Sequence, residues 1–561
     1  MMVLVLVLQW KLPVGFFLTL LIVGVALIGL LRYFAFIPVR YAMMATRALA
    51  IGCCAGLVLS WALHRTPTPV HRLAIFPLKP LTLEDASGGA GYGLAQVTTD
   101  LLRRNLTEDT RICPIDIVEY CDSDSVALRK TAAEAASERL GARYAVTGTY
   151  HYAEDSTLVV QAHFLTFPGD TGTHQEIRVS YDSLAVAPYL LAQAIRLSFP
   201  AFEAIAVAPP SFTSQTFRQY CRGQALLHQK THEGFWEASE AFRATLAADS
   251  SFVWGYYGLA QVYSAWERPN RDESNTMKRK AIELGQTALI LNARLTEVHR
   301  LMAHAYQFLR LWDAQSTILK QAINADPMEP WNYTALARLR RERFQDIGFR
   351  DEAELCEQAV RLNPDAILLR VQLIHGYISA GRLTDALTFA TEALKLTPAR
   401  GEMLLAAGEA YQYNNRAKLA VETYSNAVNL NPNDYRGYIG LANAHSLSAK
   451  MPLAIETYEQ GIRLLPQNAE LYYNLGVLYQ RHGSWDKALP YFQKAIAVDD
   501  HANSHYYLGK WYEKNGDRAN AVEQWKKRIA VGDPYDQWTI EAMAHLRALA
   551  PSELPTIGVT Q

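Results

Sequence analysis

A chain of 561 residues is too long for a single hydrophobic core and should divide into two or more domains. Its 54 basic and 55 acidic side chains nearly cancel, to a net charge of −1, which excludes the global positive field that draws a protein onto nucleic acid. Charged residues make up only 19%, below the usual quarter, and that deficit points to a membrane-embedded part.

The deficit is concentrated at the N-terminus. Residues 14–31 read VGFFLTLLIVGVALIGLL, and residues 48–63 read ALAIGCCAGLVLSWAL, both without a charge. Each approaches the roughly 20 apolar residues that cross a bilayer. Flanks extend them to about 14–36 and 41–63, and we expect two transmembrane helices in a hairpin, an anchor over residues 1–64. A cleaved signal peptide followed by a core helix is the alternative, but the first run is longer than a signal core and the second follows at once. On the connector side stand Arg40, Arg32 near the end of the first span and Arg47 one or two turns inside the second, against Lys11 before the first span and Arg65 and Arg72 after the second. By a narrow margin this bias puts the connector inside and both ends outside. In a bacterial inner membrane the soluble C-terminal region would then be periplasmic.

Six cysteines do not make a disulfide framework. Cys53 and Cys54 fall in the second apolar run, and Cys221 and Cys356 are solitary and expected to be buried. Cys113 and Cys121 either bridge in an oxidising compartment or remain two separate thiols.

After a proline-broken linker at 64–72, the apolar run LAIFPL (73–78) predicts a buried strand. A helix follows over 91–105, a strand over 111–118, and a helix over 125–140 with Asp124 or Ser125 as its N-cap. Three strands are expected over 143–152, 157–166 and 173–181, joined by turns at Glu154-Asp155-Ser156 and Pro168-Gly169-Asp170, and therefore antiparallel. A helix over 184–199 closes a compact α/β domain, assigned to residues 71–205. Gly88-Gly89-Ala90-Gly91-Tyr92-Gly93 lacks the spacing and the lysine of a phosphate loop, and reads as a connector into the helix. The stretches RLAIFPLKPL…GYGLAQVTTDLLRRN and ERLGARYAVTGTYHYAEDSTLVVQAHFLTFPGDTGTHQEIRVSYD resemble the TolB amino-terminal-like domain. That family often precedes helical repeats in membrane-bound bacterial regulators of the CadC-like and adenylate-cyclase-associated kinds. Here the stretch upstream, positions 1–64, leaves no room for their output domain, so any signalling role implied by the resemblance would act through a partner.

The remainder is periodic. Pro364, Pro398, Pro432 and Pro466 recur at one constant interval. Ala386, Ala420, Ala454 and Ala488 keep the same period, as do Ala393, Ala427, Gly461 and Ala495, and the bulky Tyr424, Tyr458 and Phe492. Small residues let two helices touch, large ones fill the seams, and proline follows a helix it cannot continue. This code, with its period of about 34 residues, resembles the tetratricopeptide repeat (TPR), a helix–turn–helix unit that stacks into a solenoid. The phase predicts about nine units over residues 213–550, with left-handed turns at Gly381 and Gly483 and a capping helix at 537–549. The fold class expected is therefore mainly α: a solenoid preceded by a small α/β domain and two transmembrane helices.

The resemblance implies that function lies on the concave face made by the first helix of each unit. The same phase assigns Leu368, Val371, His375 and Ile378 to that face, then Glu402, Leu405, Glu409, Gln412 and Tyr413, then Arg436, Ile439 and Asn443. Further units add Glu470, Tyr473, Val477, Gln480 and Arg481, then Asn503, Tyr506, Lys510 and Glu513. Such a lining suits an extended peptide or a partner's helix, although some of these residues should only pack neighbouring helices. Chaperone-binding repeats clamp a terminal carboxylate with lysine, and Ile439 and Tyr473 stand where a clamp lysine should be. The pairs His228/His232 and His501/His505 have helical spacing but lack further metal ligands, and no catalytic signature is present. We therefore expect a non-enzymatic, membrane-anchored scaffold without cofactor or metal, taking protein partners and no nucleic acid. Two alternatives are a sensor subunit of an envelope signalling system and an accessory subunit of a larger membrane complex.

Overall fold

The structure is a computed structural model that describes residues 70–81, 90–104, 106, 110–114, 116, 118, 137–167, 172–266, 271–339, 344, 348–532 and 536–553. The chain forms two compact units, one of residues 1–71 and 106–111, the other of residues 72–105 and 112–561. The first falls almost wholly outside the described residues, and so do the expected spans at 14–36 and 41–63. Among the described residues no helix is long and apolar enough to cross a membrane.

The second unit begins with a sheet. Strand β1 (His71–Ile75) pairs in parallel with β4 (Tyr144–Tyr152), with Leu73 opposite Tyr144, and the short β2 (Lys79–Pro80) adds in parallel further along β4. Antiparallel pairing then runs from β4 to β5 (Leu158–Thr166) and on to β6 (Thr173–Val179). β5 buries Leu158, Val160, Ala162 and Phe164 while Gln161 and His163 face solvent, as a half-buried strand must. Helices α1 (Ala90–Arg103) and α2 (Ala187–Ser198) cover one face; the Thr98 hydroxyl of α1 donates to Pro188 O of α2 at 3.3 Å. Strand β3 (Thr110–Ile112) is shorter than the 111–118 expected from sequence. Pro114 has no N–H for a ladder, and its carbonyl instead accepts from Val118 N at 3.0 Å, a helical turn. The expected 125–140 helix lies outside the described residues except for 137–140, which is helical and ends at Gly141 with φ +64°.

Nine successive helix pairs follow among the described residues. They are α3 (Ser214–His228) with α4 (His232–Ala248), α5 (Val253–Ala265) with α6 (Arg271–Leu291), and α7 (Thr296–Phe308) with α8 (Trp312–Ala325). Next come α9 (Pro330–Ala337) with α10 (Glu352–Leu362), α11 (Ile367–Ser379) with α12 (Leu383–Leu396), and α13 (Gly401–Tyr413) with α14 (Ala417–Leu430). The last are α15 (Tyr435–Leu447) with α16 (Met451–Leu464), α17 (Ala469–Arg481) with α18 (Trp485–Asp499), and α19 (Ala502–Lys514) with α20 (Arg518–Val531). A final helix, α21 (Gln537–Leu549), packs Trp538 against Tyr506 at 4.5 Å and stacks His545 on Trp525 at 4.7 Å.

The small/large code has a direct cause in these pairs. The Tyr424 ring is wedged between Gly408 and Gly440, where an added Cβ would lie 2.7 and 2.3 Å from it. Phe492 fills the equivalent slot beside Gly476, and Ala420, Ala454 and Ala488 are fully buried where helices touch. Burial at this density tolerates almost no change in volume.

Sequence periodicity did not reveal how the α/β layer and the helical repeats meet. Within this unit they form one continuous packed body. α1 lies on α3: a Cβ on Gly93 would sit 2.4 Å from Cys221 Sγ, and Tyr92 stacks on His228 at 3.5 Å. Further along, Asn363 Nδ2 donates to Leu140 O at 2.8 Å, and Arg72 donates to Leu362 O. Gly141 fits there because it combines a left-handed backbone with contact to Asn363, whose Oδ1 is 2.5 Å from where a Cβ would project.

Candidate functional site

The first helices of three consecutive repeats, α11, α13 and α15, line a concavity of about 580 Å³. Leu368, Glu402 and Arg436 stand one repeat period apart and occupy the second position of their helices. Val371, Leu405 and Ile439 follow one turn later, then His375, Glu409 and Asn443 after another. Positions i, i+3 and i+7 share a helix face, so a repeat in sequence becomes a lattice of side chains on one wall. With Gln412 and Tyr413, every residue assigned to this face from these three units borders the concavity except Ile378, which is partly buried outside it. Gln372, Ala406, Tyr424 and Gly440 border it too and were not anticipated. Tyr424 and Gly440 could have been, since the small/large pairing that seats the ring also brings its edge to this wall.

Apolar side chains make the middle of the concavity and charged ones its borders. His375 Nε2 lies 3.2 Å from Glu409 Oε2, and both side chains are about half exposed. Arg436 turns its guanidinium to the carboxylate of Asp434, at 2.9 and 2.7 Å. Asn443 Oδ1 accepts from the Tyr458 hydroxyl at 3.0 Å, which fixes the amide. Glu402 Oε1 accepts from Arg139 Nη2 at 2.9 Å, from the segment that ends at Gly141. The neighbouring Arg400 pairs with Glu138.

The later units are arranged differently. Glu470 takes His501 Nε2 at 3.2 Å, and that contact, ahead of burial, holds its carboxyl below the ordinary range. Tyr473 packs against His501 at 4.4 Å and Tyr507 at 6.0 Å. Val477 is buried in a cluster with Phe492 and Leu508. Tyr506 is buried under α21 and donates to Glu541 Oε2 at 2.5 Å, with Lys510 Nζ 3.3 Å from its oxygen. Val477 and Tyr506 are therefore seam residues rather than open wall. Gln480 and Asn503 are partly buried, and Arg481 and Lys510 are exposed.

Nearer the N-terminus the same wall is already filled. Glu297 stands at the second position of α7, as Glu402 does in α13, and pairs with Arg103 at the end of α1. One turn on, Arg300 takes both oxygens of Asp116 at 2.9 and 2.7 Å and Asn332 Oδ1 at 2.7 Å. Burial is the largest influence on both arginines and lowers their pKa values, but the surrounding carboxyls together outweigh it. Glu297 with Glu329 does so at Arg103, and Asp116 with Glu297 and Glu329 at Arg300, so both guanidinium groups are held charged. Glu329 is a third carboxyl in this cluster, and burial pushes it up to about 7 against the pull of Arg103 and Arg300.

His228 and His232 border, with Trp266 and His304, a second concavity of about 660 Å³. His505 contacts Gln524 and Asp500 at 2.6 and 2.8 Å, while His501 turns to Glu470 and Ser504, so the two histidines do not converge. Among the described residues no three His, Cys, Asp or Glu side chains gather as metal ligands. Cys221 and Cys356 are buried thiols; burial pushes Cys356 up to about 12. Cys113 is buried, and Cys121 lies outside the described residues.

Family models described as TPR repeat and tetratricopeptide repeat match residues 401–434, 450–483 and 469–501. No curated protein matches the chain. Among solved structures, MamA is 27% identical over 27% of this chain and 90% of its own, with a TM-score of 0.24. A thermophilic TPR protein of Thermus thermophilus is 22% identical over 32% of this chain and 96% of its own, with a TM-score of 0.27. Yeast Tom70 is 17% identical over 58% of this chain and 67% of its own, with a TM-score of 0.38. Tetratricopeptide repeats are thus present in the solenoid at residues 401–434 and 450–501.

Proposed function

We propose that this protein is a tethered interaction scaffold that holds a segment of a partner protein in the groove of α11, α13 and α15. One observation carries the reading: residues from three repeats, spaced by the repeat period, border a single concavity of about 580 Å³ with an apolar middle and polar borders. Such a distribution matches how protein interfaces are built. It acts by shape and multipoint contact, not by bond chemistry. The two apolar runs at 14–36 and 41–63 are the tether, a transmembrane hairpin in a bacterial inner membrane with the TolB-like domain and the solenoid in the periplasm.

The test is stoichiometric copurification of the full-length chain in mild detergent, compared with a Leu405→Arg, Ile439→Arg variant. The wild type should carry a partner that the variant loses while keeping its helical circular dichroism. Partner retention by the folded variant would exclude this groove. Reporter fusions at residues 36 and 70 test the tether, and a cytoplasmic signal at 70 would overturn the periplasmic placement.

A further inference from the structure

Two repeats, one of them in the groove, carry a carboxylate at the same helix position that the chain reads with its own arginines. At the second position of α7 Glu297 receives Arg103, and at the second position of α13 Glu402 receives Arg139 at 2.9 Å. Both arginines come from the α/β domain and reach across 194 and 263 residues of sequence. Two repeats therefore solve the same contact in the same way, with a guanidinium approaching along the concave wall. Around the open concavity the remaining charges are Glu409, faced by His375, and Arg436, which is hydrogen-bonded to Asp434 and only more weakly within the field of Glu402. Once Arg139 is withdrawn, the wall presents Glu402 and Glu409 beside Leu405 and Val371, an acidic border on an apolar floor.

We propose that the partner segment held in this groove is cationic, with arginine or lysine beside apolar anchors, and that Arg139 is an internal competitor for the same carboxylate. This rests on the groove reading above. Charge complementarity sets partner choice because a like charge placed against Glu402 or Glu409 would be repelled and left desolvated. The arginine side chain suits the position because its planar fork matches a carboxylate. The chain's α/β domain thus covers one end of the groove, and binding exchanges an internal ion pair for an external one.

The experiment uses the full-length chain in mild detergent and two short fluorescein-labelled peptides. They share leucine spacing and differ only in carrying arginine or glutamate between the leucines. By fluorescence anisotropy the arginine peptide should bind about tenfold or more tightly than the glutamate peptide. Arg139→Ala should tighten the arginine peptide about threefold or more, because Glu402 is released. Glu409→Gln, a near-isosteric change at a half-exposed position, should weaken it by a similar factor. Equal or preferential binding of the glutamate peptide, no binding of either peptide, or indifference to both substitutions would overturn the proposal. Leu405→Arg separates the two claims. If the glutamate peptide binds and Leu405→Arg abolishes it, the groove stands and its cationic preference falls; if a bound peptide ignores Leu405→Arg, the groove reading falls too.

Discussion

Arg300 in the third helix pair takes both carboxylate oxygens of Asp116, at 2.9 and 2.7 Å, across 184 residues of sequence. The Arg300 side chain is 9% exposed and that of Asp116 25%, so this is a largely desolvated pair. Removing one partner leaves a buried charge without its counterion, which typically costs about 3–5 kcal/mol, whereas removing both costs less. Arg300→Met alone should therefore destabilise more than Arg300→Met with Asp116→Leu. Urea denaturation of the four members of this cycle would give a coupling of about 1–3 kcal/mol. Additive losses would mean that the pair does not hold the α/β layer to the repeats.

The contact of Gly93 with Cys221 offers a test based on size instead of charge. A methyl on Gly93 would lie 2.4 Å from Cys221 Sγ, too close for any relaxed contact. Gly93→Ala should cost about 1–3 kcal/mol by overpacking. Cys221→Ala withdraws the sulfur, so the double substitution should recover most of that loss. Thermal unfolding of the single and double variants decides it; a Gly93→Ala protein as stable as wild type would show that α1 does not sit against α3.

A third expectation concerns the turns inside the repeats. Gly381, Asn415, Ala449 and Gly483 are equivalents in successive repeats, and all are left-handed, with φ of 75°, 57°, 57° and 75°. Glycine and asparagine adopt this conformation readily, whereas a Cβ on alanine is strained there by about 1 kcal/mol. Ala449→Gly should therefore stabilise the solenoid by roughly 0.5–1 kcal/mol, measured as a higher denaturation midpoint. A lower midpoint would mean that alanine's smaller backbone entropy outweighs the strain.

The wall of the groove was legible in the sequence because a fixed period assigns a face: Leu368, Glu402 and Arg436 recur at that period and reach the same concavity. The period could not say which wall positions stay open. Val477 and Tyr506 carry the same phase yet close into seams, because Phe492 and Trp538 cover them. Nor could it anticipate Arg139 on Glu402 or Arg103 on Glu297. A lone charged residue in sequence looks like solvated surface, and its partner is identified only once two separate domains are brought together. The strand expected over 111–118 stops at Ile112 for a local reason: the apolar pattern continues past Pro114, where the backbone turns.

The cluster at that junction also predicts a pH dependence. Arg103 and Arg300 are matched by Glu297 and Asp116, which leaves Glu329 as the third carboxyl beside two cations. It is 5% exposed, and burial raises its pKa from 4.5 to about 7. A carboxyl raised on folding binds its proton more tightly in the native state than in the unfolded chain. Its contribution is thus fully present below about pH 4.5 and is lost as pH rises through about 7. The span corresponds to at most about 3 kcal/mol. Glu329→Gln keeps an oxygen that can accept from Trp331 N, as Glu329 does at 3.4 Å, but cannot ionise. The variant should match wild type near pH 4 and exceed it near pH 8, so that the difference between their denaturation midpoints grows across that interval. Comparing the two proteins cancels the histidines that titrate in the same range, including His299 and His445, whose pKa values burial lowers. A difference that stays flat with pH would mean that Glu329 is ionised at neutrality and held by Arg103 and Arg300 instead.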